Sequence, residues 1–424
     1  MVVRLQFVPG NEPGGLLDLP WSTPLASWDD PRLVDMVHGT SRHVVRFVAE
    51  ARRVFALKET TELDARREYG MLRRLTAEGL PAVQPTGVVT GRQALDGEPL
   101  ASVLISRYLD FSLPYRYLFT QERRPDLSGL LIDAAVVLLV RLHLEGFFWG
   151  DCSLSNLLFR RDAGALMAYL VDAETAERRD ELSDGMRASD IDIARENVAG
   201  GLLDLQASGD LGPEIDVVEV ADQLEDRYQA LWDELTGTEE LSLDDRHLID
   251  RRIRRLNELG FDVDELLVEH DPEGARLRVR PVLVEEGHHA RELRRLTGLE
   301  VQENQARRLL NDIAAFGASI SGDADAEIPQ AVIAARWLAE VYEPVTTRVP
   351  SGLRGRLEPA ELFHELLEHR YYMSERAGSE VSVDEALRSY LDSVLAHRRD
   401  EQTVLREGVI GENPQARLEG EVEG

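Results

Sequence analysis

The run Arg53-Val54-Phe55-Ala56-Leu57-Lys58 ends on the only lysine in a chain of 424 residues; the other 47 basic side chains are arginines. β-Branched and aromatic residues make the run a strand. The chain must therefore set one ammonium at the end of a pleated, half-buried strand. Arginine is a broad planar fork and lysine a compact point charge on a flexible stem, so the two do not interchange where one ammonium enters a tight phosphate site. Among basic positions that are otherwise arginine, Lys58 marks a place where arginine fails.

A chain of this length exceeds one ordinary core, and two domains are expected. The net charge of −30 argues against a general nucleic-acid or anionic-membrane binder, because both partners are polyanions that such a field repels. The single cysteine, Cys152, excludes an internal disulfide and any multi-cysteine metal site, which fits a reducing cytoplasm. Met1 to Pro20 has no apolar run of signal-peptide length. The longest apolar stretch, Leu130 to Leu144, is interrupted by Asp133 and Arg141 and is expected to fall short of a membrane span and to form a buried helix. A cytoplasmic location follows as the expectation.

Residues 1–30 are rich in Pro, Gly, Trp and Asp and are expected to be an irregular lead-in. Alternating apolar positions then predict strands at Leu33–Val37, Val44–Ala49 and Arg53–Lys58, with His38-Gly39-Thr40-Ser41-Arg42 as the turn between the first two. From Glu62 to Glu78 the pattern is helical. Ala65, Glu68, Leu72 and Leu75 share one stripe, so a single carboxylate sits on an apolar face and requires a partner. Strand-like runs follow at Thr86–Thr90 and Leu100–Arg107, then the helix Leu130–Leu144, then a hairpin from Leu157–Phe159 and Ala168–Val171. Beyond about residue 190 helix dominates, except for a second hairpin of Val263–Glu269 and Arg276–Val284. The Gly- and Glu-rich end, 407–424, has few large apolar residues and is expected to be a disordered acidic tail.

The strongest chemical signal is Gly150-Asp151-Cys152-Ser153-Leu154-Ser155-Asn156, an aspartate and an asparagine five apart ahead of an apolar strand. Sixteen residues further on, Leu170-Val171-Asp172-Ala173-Glu174 places an aspartate at the end of a short strand. One aspartate can orient or deprotonate a hydroxyl, while Asn and Asp offer the hard oxygen ligands that suit magnesium. Lys58 supplies a cation for phosphates, and Glu68 the carboxylate that would hold it.

In order and spacing these segments resemble the protein-kinase-like superfamily over roughly residues 30–235. Ala56-Leu57-Lys58 is close to the Val-Ala-Ile-Lys strand of protein kinases, and Asp151 with Asn156 has the spacing of their catalytic loop. Leu142-His143-Leu144-Glu145-Gly146-Phe147, Trp149-Gly150-Asp151 and Asp172-Ala173-Glu174 look most like the bacterial lipopolysaccharide (Kdo/heptose) kinases and the aminoglycoside and choline-type phosphotransferases, which carry His-Gly-Asp and Asp-x-Glu variants. The resemblance implies an α+β, bilobal kinase-like fold. Its N-lobe would span 31–110 and its C-lobe 111–235, followed by a mainly α-helical domain, 240–400, that contains the second hairpin.

The same resemblance implies ATP and Mg2+ as cofactors. Asp151 would be the catalytic base, Asn156 and Asp172 the metal ligands, and Lys58, Glu68, Gly39, Thr40 and Ser41 the nucleotide-binding group. Ser189-Asp190-Ile191-Asp192 would open the next long helix, with Asp190 or Asp192 bracing the catalytic loop. The implied activity is phosphoryl transfer from Mg-ATP to a hydroxyl of a small-molecule, sugar or lipid-linked acceptor. The alternative is a non-catalytic ATP-binding regulator acting through its C-terminal domain.

Departures from the pattern are informative. The turn at Gly39 has one glycine rather than three, Trp149 stands where histidine is usual, and no Ala-Pro-Glu follows Asp172. Only residues 173–189 separate Asp172 from Asp190, which leaves little room for a peptide-docking platform. Cys152 has no well-placed histidine base and is expected to be a small buried residue.

The region from 240 to 400 resembles an uncharacterised domain that accompanies such bacterial kinase-like chains, and could bind a protein partner. His364 and His369 are five apart, not the four that sets two ligands on one helix face, so zinc is not expected. The segment His288–Leu296, Thr297-Gly298-Leu299, Gln302–Ile313 reads as a helix-turn-helix bearing Arg291, Arg294, Arg295, Arg307 and Arg308. Structural packing is the leading expectation for it, with an anionic ligand next and nucleic acid last.

Overall fold

The computed structural model describes residues 4–7, 14–34, 36, 43–50, 53–121, 127–237, 239–241, 256, 263–270, 277–283, 287–321, 328–398 and 401. Its first layer is an antiparallel sheet of β1 (Arg4–Phe7), β2 (Leu33–Val34), β3 (Val45–Glu50), β4 (Arg53–Thr60), β5 (Pro85–Thr90) and β6 (Ser102–Arg107), ordered β1-β5-β6-β4-β3-β2. Lys58 lies opposite Val45 on β3 and Leu104 on β6, so its backbone is fixed from both sides. Helix α1 (Glu62–Ala77) follows at once because Thr61 caps it, its side chain accepting the Asp64 N–H.

Strand alternation sends Phe55 and Leu57 to the face of the sheet that also carries Val48, Val89, Val103 and Ile105. That face is covered by Leu16, Leu19, Trp21, Leu25 and Trp28. The lead-in expected to be irregular is thus built into the fold: it supplies β1, two 3-10 turns and two edge-to-face tryptophans. Buried Arg92 fastens it by donating to the carbonyls of Trp21 and Thr23 as well as to Glu59 and Ala101. The long aromatic side chains offer enough apolar area to replace regular structure as the reason to stay folded.

The second layer comprises β7 (Leu113–Pro114), α2 (Tyr115–Gln121), α3 (Leu127–Leu144), β8 (Phe147–Phe148), the hairpin β9 (Leu157–Asp162) and β10 (Ala165–Leu170), β11 (Glu177–Arg178), α4 (Asp184–Ser208) and α5 (Val217–Thr236). One apolar core joins α1, α3, α4, α5 and the hairpin, which ties the two layers together. Helix α3 begins at Leu127, earlier than the apolar pattern suggests, and its 18 residues are long and apolar enough to cross a membrane by length and composition. Most of it, 67%, is buried inside the protein. Helix α4 starts at Asp184 rather than at Ser189, because the Ser183 side chain caps it at the Met186 N–H. Ser189 and Asp190 lie inside the helix.

Beyond α5, strands β12 (Glu239–Leu241), β13 (Val263–His270) and β14 (Leu277–Leu283) make a small antiparallel sheet with β14 in the middle. Helices α6 (His288–Thr297), α7 (Glu303–Ser321), α8 (Gln330–Trp337), α9 (Glu343–Thr347), α10 (Pro359–Ala377) and α11 (Val383–Ser393) share a separate core around Trp337, Tyr342 and Phe363, whose rings meet tilted or edge-to-face with centroids 5.2–5.8 Å apart. The expected tail, 407–424, lies outside the described residues.

Candidate active site

Residues of the sheet and of the helical layer meet at Lys58. Lys58 Nζ donates to Glu68 Oε2 at 3.0 Å, to Asp172 Oδ2 at 2.7 Å and to Glu174 Oε2 at 3.5 Å. Glu68 is the carboxylate on the apolar stripe of α1, 1% exposed, and Lys58 is its partner. Burial works against the Lys58 charge, but Glu68 and Asp172 outweigh it and hold the ammonium above its ordinary value. Burial and the Asp172 charge push the Glu68 carboxyl up to about 8 against the pull of Lys58. Its other oxygen, Oε1, is buried without a hydrogen-bond partner.

Asp172 is positioned by its neighbours: its Oδ1 accepts the Glu174 N–H and its carbonyl accepts Trp149 Nε1–H. Trp149 therefore helps hold the backbone of Asp172. His43 Nε2 lies 3.3 Å from Glu174 Oε2. Glu68, Asp172 and Glu174 each offer an oxygen within 4.8 Å of the others. Asp172 and Glu174 beside one ammonium leave an excess of negative charge, and with Glu68 they offer hard oxygen donors that fit a small divalent cation such as Mg2+.

At the base of the β9–β10 hairpin, Asn156 Nδ2 donates to Asp151 at Oδ2 and at the carbonyl, each at 3.0 Å. Asn197 Nδ2 donates to the other oxygen, Oδ1, at 3.2 Å. The backbone beneath Asp151 is held by Asp190, fully buried, which accepts the N–H groups of Trp149 and Gly150 at 2.7 and 2.8 Å. The His143 ring donates from Nε2 to Asp190, leaving Nδ1 to accept from the Tyr228 hydroxyl at 2.7 Å. Of the two candidate braces, Asp190 takes the role, while Asp192 faces outward to Arg195. Burial pushes the Cys152 thiol well up, and Asp190 and Asp151 add to it, so the residue is inert packing.

The structure brings Lys58, Glu68 and Asp172 into one hydrogen-bonded group and Asp151 with Asn156 into another. Gly39, Thr40 and Ser41 lie outside the described residues. Sequence reasoning gave no role to Glu174 or His43 and did not single out Asn197. Asn197 was legible in one respect: it follows Asp190 by seven residues, which on a helix returns to the same face. Gly201 continues that stripe and lets Leu154 approach α4 closely.

The segment between Asp172 and α4 is short and stitched down. Ala173 and Ala176 are buried, Thr175 donates to the Trp149 carbonyl, and β11 pairs with β8. His364 receives a hydrogen bond from Arg308, and His369 pairs with Ser389. The basic face expected on α6 and α7 is largely neutralised, with Arg294 on Glu300, Arg295 on Glu292 and Arg308 on Glu368.

Residues 40–196 match the family model for the lipopolysaccharide kinase (Kdo/WaaP) family, and residues 230–395 match a domain of unknown function, DUF4032. Nothing among curated proteins matches the chain. Similar solved structures include WaaP in complex with acyl carrier protein, 16% identical, covering 61% of this chain and 99% of that one with a TM-score of 0.36. Another is the BubR1 kinase domain, 15% identical, covering 39% and 53% with a TM-score of 0.27. The chain is thus similar to the lipopolysaccharide kinase (Kdo/WaaP) family over its first half and to DUF4032 over its second.

Proposed function

We propose that this protein is a Mg-ATP-dependent phosphotransferase acting on a hydroxyl of a small-molecule, sugar or lipid-linked acceptor in the cytoplasm. The observation that carries the reading is the ammonium of the only lysine, hydrogen-bonded at once to Glu68 and Asp172, which are 10 and 114 positions away. In a nucleotide complex Lys58 neutralises the α- and β-phosphates, and Glu68 keeps its stem from swinging out. Asp172, with Glu174 and Asn156, would hold the magnesium, which when bound screens the phosphate charge. Gly39, Thr40 and Ser41 are proposed to contact the phosphates.

Asp151 orients the acceptor hydroxyl and takes its proton as the acceptor oxygen bonds to the γ-phosphorus; the bond from phosphorus to the β-phosphate oxygen breaks and ADP leaves. Asn156 and Asn197 fix both carboxylate oxygens, so the side chain meets the hydroxyl without searching rotamers. A segment of eleven residues between Asp172 and α4, tied to the loop, leaves little surface to dock a peptide, which favours a small acceptor. The single buried cysteine fits a reducing compartment.

The test combines Mg-ATP binding with ADP release. Wild type should bind Mg-ATP and release ADP, and Asp151→Asn should keep the affinity while losing turnover by about a hundredfold or more, the usual worth of a general base. Turnover that survives in Asp151→Asn would overturn the enzymatic reading.

A further inference from the structure

The tip of the β9–β10 hairpin has a backbone that its own residues do not favour. Ala163 (φ 55°) and Gly164 (φ 87°) are both left-handed, the conformation of two-residue hairpin turns that Asn-Gly or Gly-Gly adopts readily, while the alanine Cβ crowds its own carbonyl there. The missing stabilisation arrives from another domain. Glu361 on α10, 1% exposed, accepts the Ala163 N–H at Oε2 (2.7 Å) and the Gly164 N–H at Oε1 (3.0 Å). Gln305 of α7 donates to the same Oε2 and to the Arg161 carbonyl. In return Asp162 accepts the N–H groups of Asn304 and Gln305 and caps the first turn of α7. Each domain thus offers a buried carboxylate to the other's backbone, and Arg160 with Glu358 adds an ion pair.

The base of this hairpin is the candidate site. Leu157 pairs with Leu170, and the Val171 N–H donates to the Asn156 carbonyl at 3.1 Å, so Asn156 and Asp172 flank the last rung. Side chains alternate along a strand, and a slip of one residue in register exchanges the faces of all that follow. The turn at the tip therefore decides how Asn156 and Asp172 face each other at the base.

We propose that Glu361, in the C-terminal domain, is a positioning residue for the nucleotide site: by imposing the left-handed turn at Ala163–Gly164 it sets the hairpin register that aligns Asn156 with Asp172. The proposal rests on the nucleotide-site reading above and gives the C-terminal domain a task in cis. The experiment uses the full chain as wild type, Glu361→Gln, Ala163→Gly and the double variant, with amide hydrogen exchange over 157–170 and the Kd for Mg-ATP as readouts. Glutamine keeps the shape but leaves one turn amide without its acceptor. Exchange should quicken and Kd weaken by about tenfold in Glu361→Gln, equivalent to ~1.4 kcal/mol. Glycine, which adopts the turn unaided, should recover most of both losses in the double variant. No change in Glu361→Gln, or a loss that glycine does not recover, overturns the proposal. If Glu361→Gln does not fold, folding of the double variant supports it and failure of both overturns it. A wild type that binds no Mg-ATP would sink the nucleotide reading itself, while the exchange data still judge the turn.

Discussion

The side-chain amide of Asn197 donates to Oδ1 of Asp151 across 3.2 Å, from the same face of α4 on which Asp190 accepts the backbone N–H groups of Trp149 and Gly150. One helix therefore fixes the main chain of the candidate catalytic segment and the rotamer of its carboxylate. Seven residues carry the chain about 700° around a helix axis, nearly two full turns, which is why Asp190 and Asn197 can serve one loop.

Asn197→Leu removes the donor while keeping the volume. Because Asn197 touches Asp151 and not Lys58 or Asp172, the expected outcome is a kcat for ADP release lower by about tenfold or more with KM for ATP within about twofold. Steady-state kinetics on the full chain read this directly. An effect confined to KM would assign Asn197 to nucleotide binding.

Lys58→Arg keeps the charge and changes its shape. Wild type at Mg-ATP a hundredfold above Kd gains about 2.7 kcal/mol of stability. The guanidinium, too wide for the gap between Glu68 and Asp172, should reduce that gain at the same nucleotide concentration, seen as a smaller rise in Tm. An equal rise in both proteins would show that the lone lysine is not set by the phosphate site.

Asp190→Ala deletes a fully buried carboxylate and strands two backbone amides and the His143 ring. Removing one partner from such a buried charged network costs about 3–5 kcal/mol. Urea unfolding should report a loss of this order, against a change below about 0.5 kcal/mol for the exposed Asp192→Ala.

Burial pushes the Asp162 carboxyl from its ordinary 3.8 up to about 7, against the N–H groups of Gln305 and Asn304 that favour its charge; Glu361 and Glu303 push it further up. Arg141 and Asp162 both line a cavity between α3 and the β9–β10 hairpin. A carboxyl raised on folding binds its proton more tightly in the native state, so the stability linked to it is complete below about pH 4 and is lost as pH climbs to about 7. The stability advantage of wild type over Asp162→Asn should accordingly shrink between pH 5 and pH 7. An advantage that grows over that range would show that the two amides outweigh burial.

Much of the first half of the chain was legible because its signals are local. Strand alternation and the apolar spacing of α1 depend on neighbours two to four residues away, and they locate Lys58 on a strand, which runs on to Thr60 rather than ending at the lysine, and Glu68 on a helix stripe. The start of α4 was misplaced because Asp190 looks like a capping residue, yet its carboxylate serves the loop at Trp149 and Gly150 forty residues earlier. The part the lead-in plays in the core was not legible, because Trp21 and Trp28 bury themselves without regular structure, and periodicity detects only regular structure.

The sequence by itself determined which residue types and spacings were available: one lysine, an aspartate and asparagine five apart, an Asp-x-Glu, and the periodicities that build a sheet beside a helical layer. Only the tertiary structure decided who meets whom. It chose Glu174 and His43 as neighbours of the lysine group, Asn197 as the second donor to Asp151, and the C-terminal Glu361 as the acceptor for a turn two hundred residues away. Local propensity acts within a few residues, whereas a buried polar group takes whichever partner the packing of distant elements presents, and no spacing in the chain records that choice.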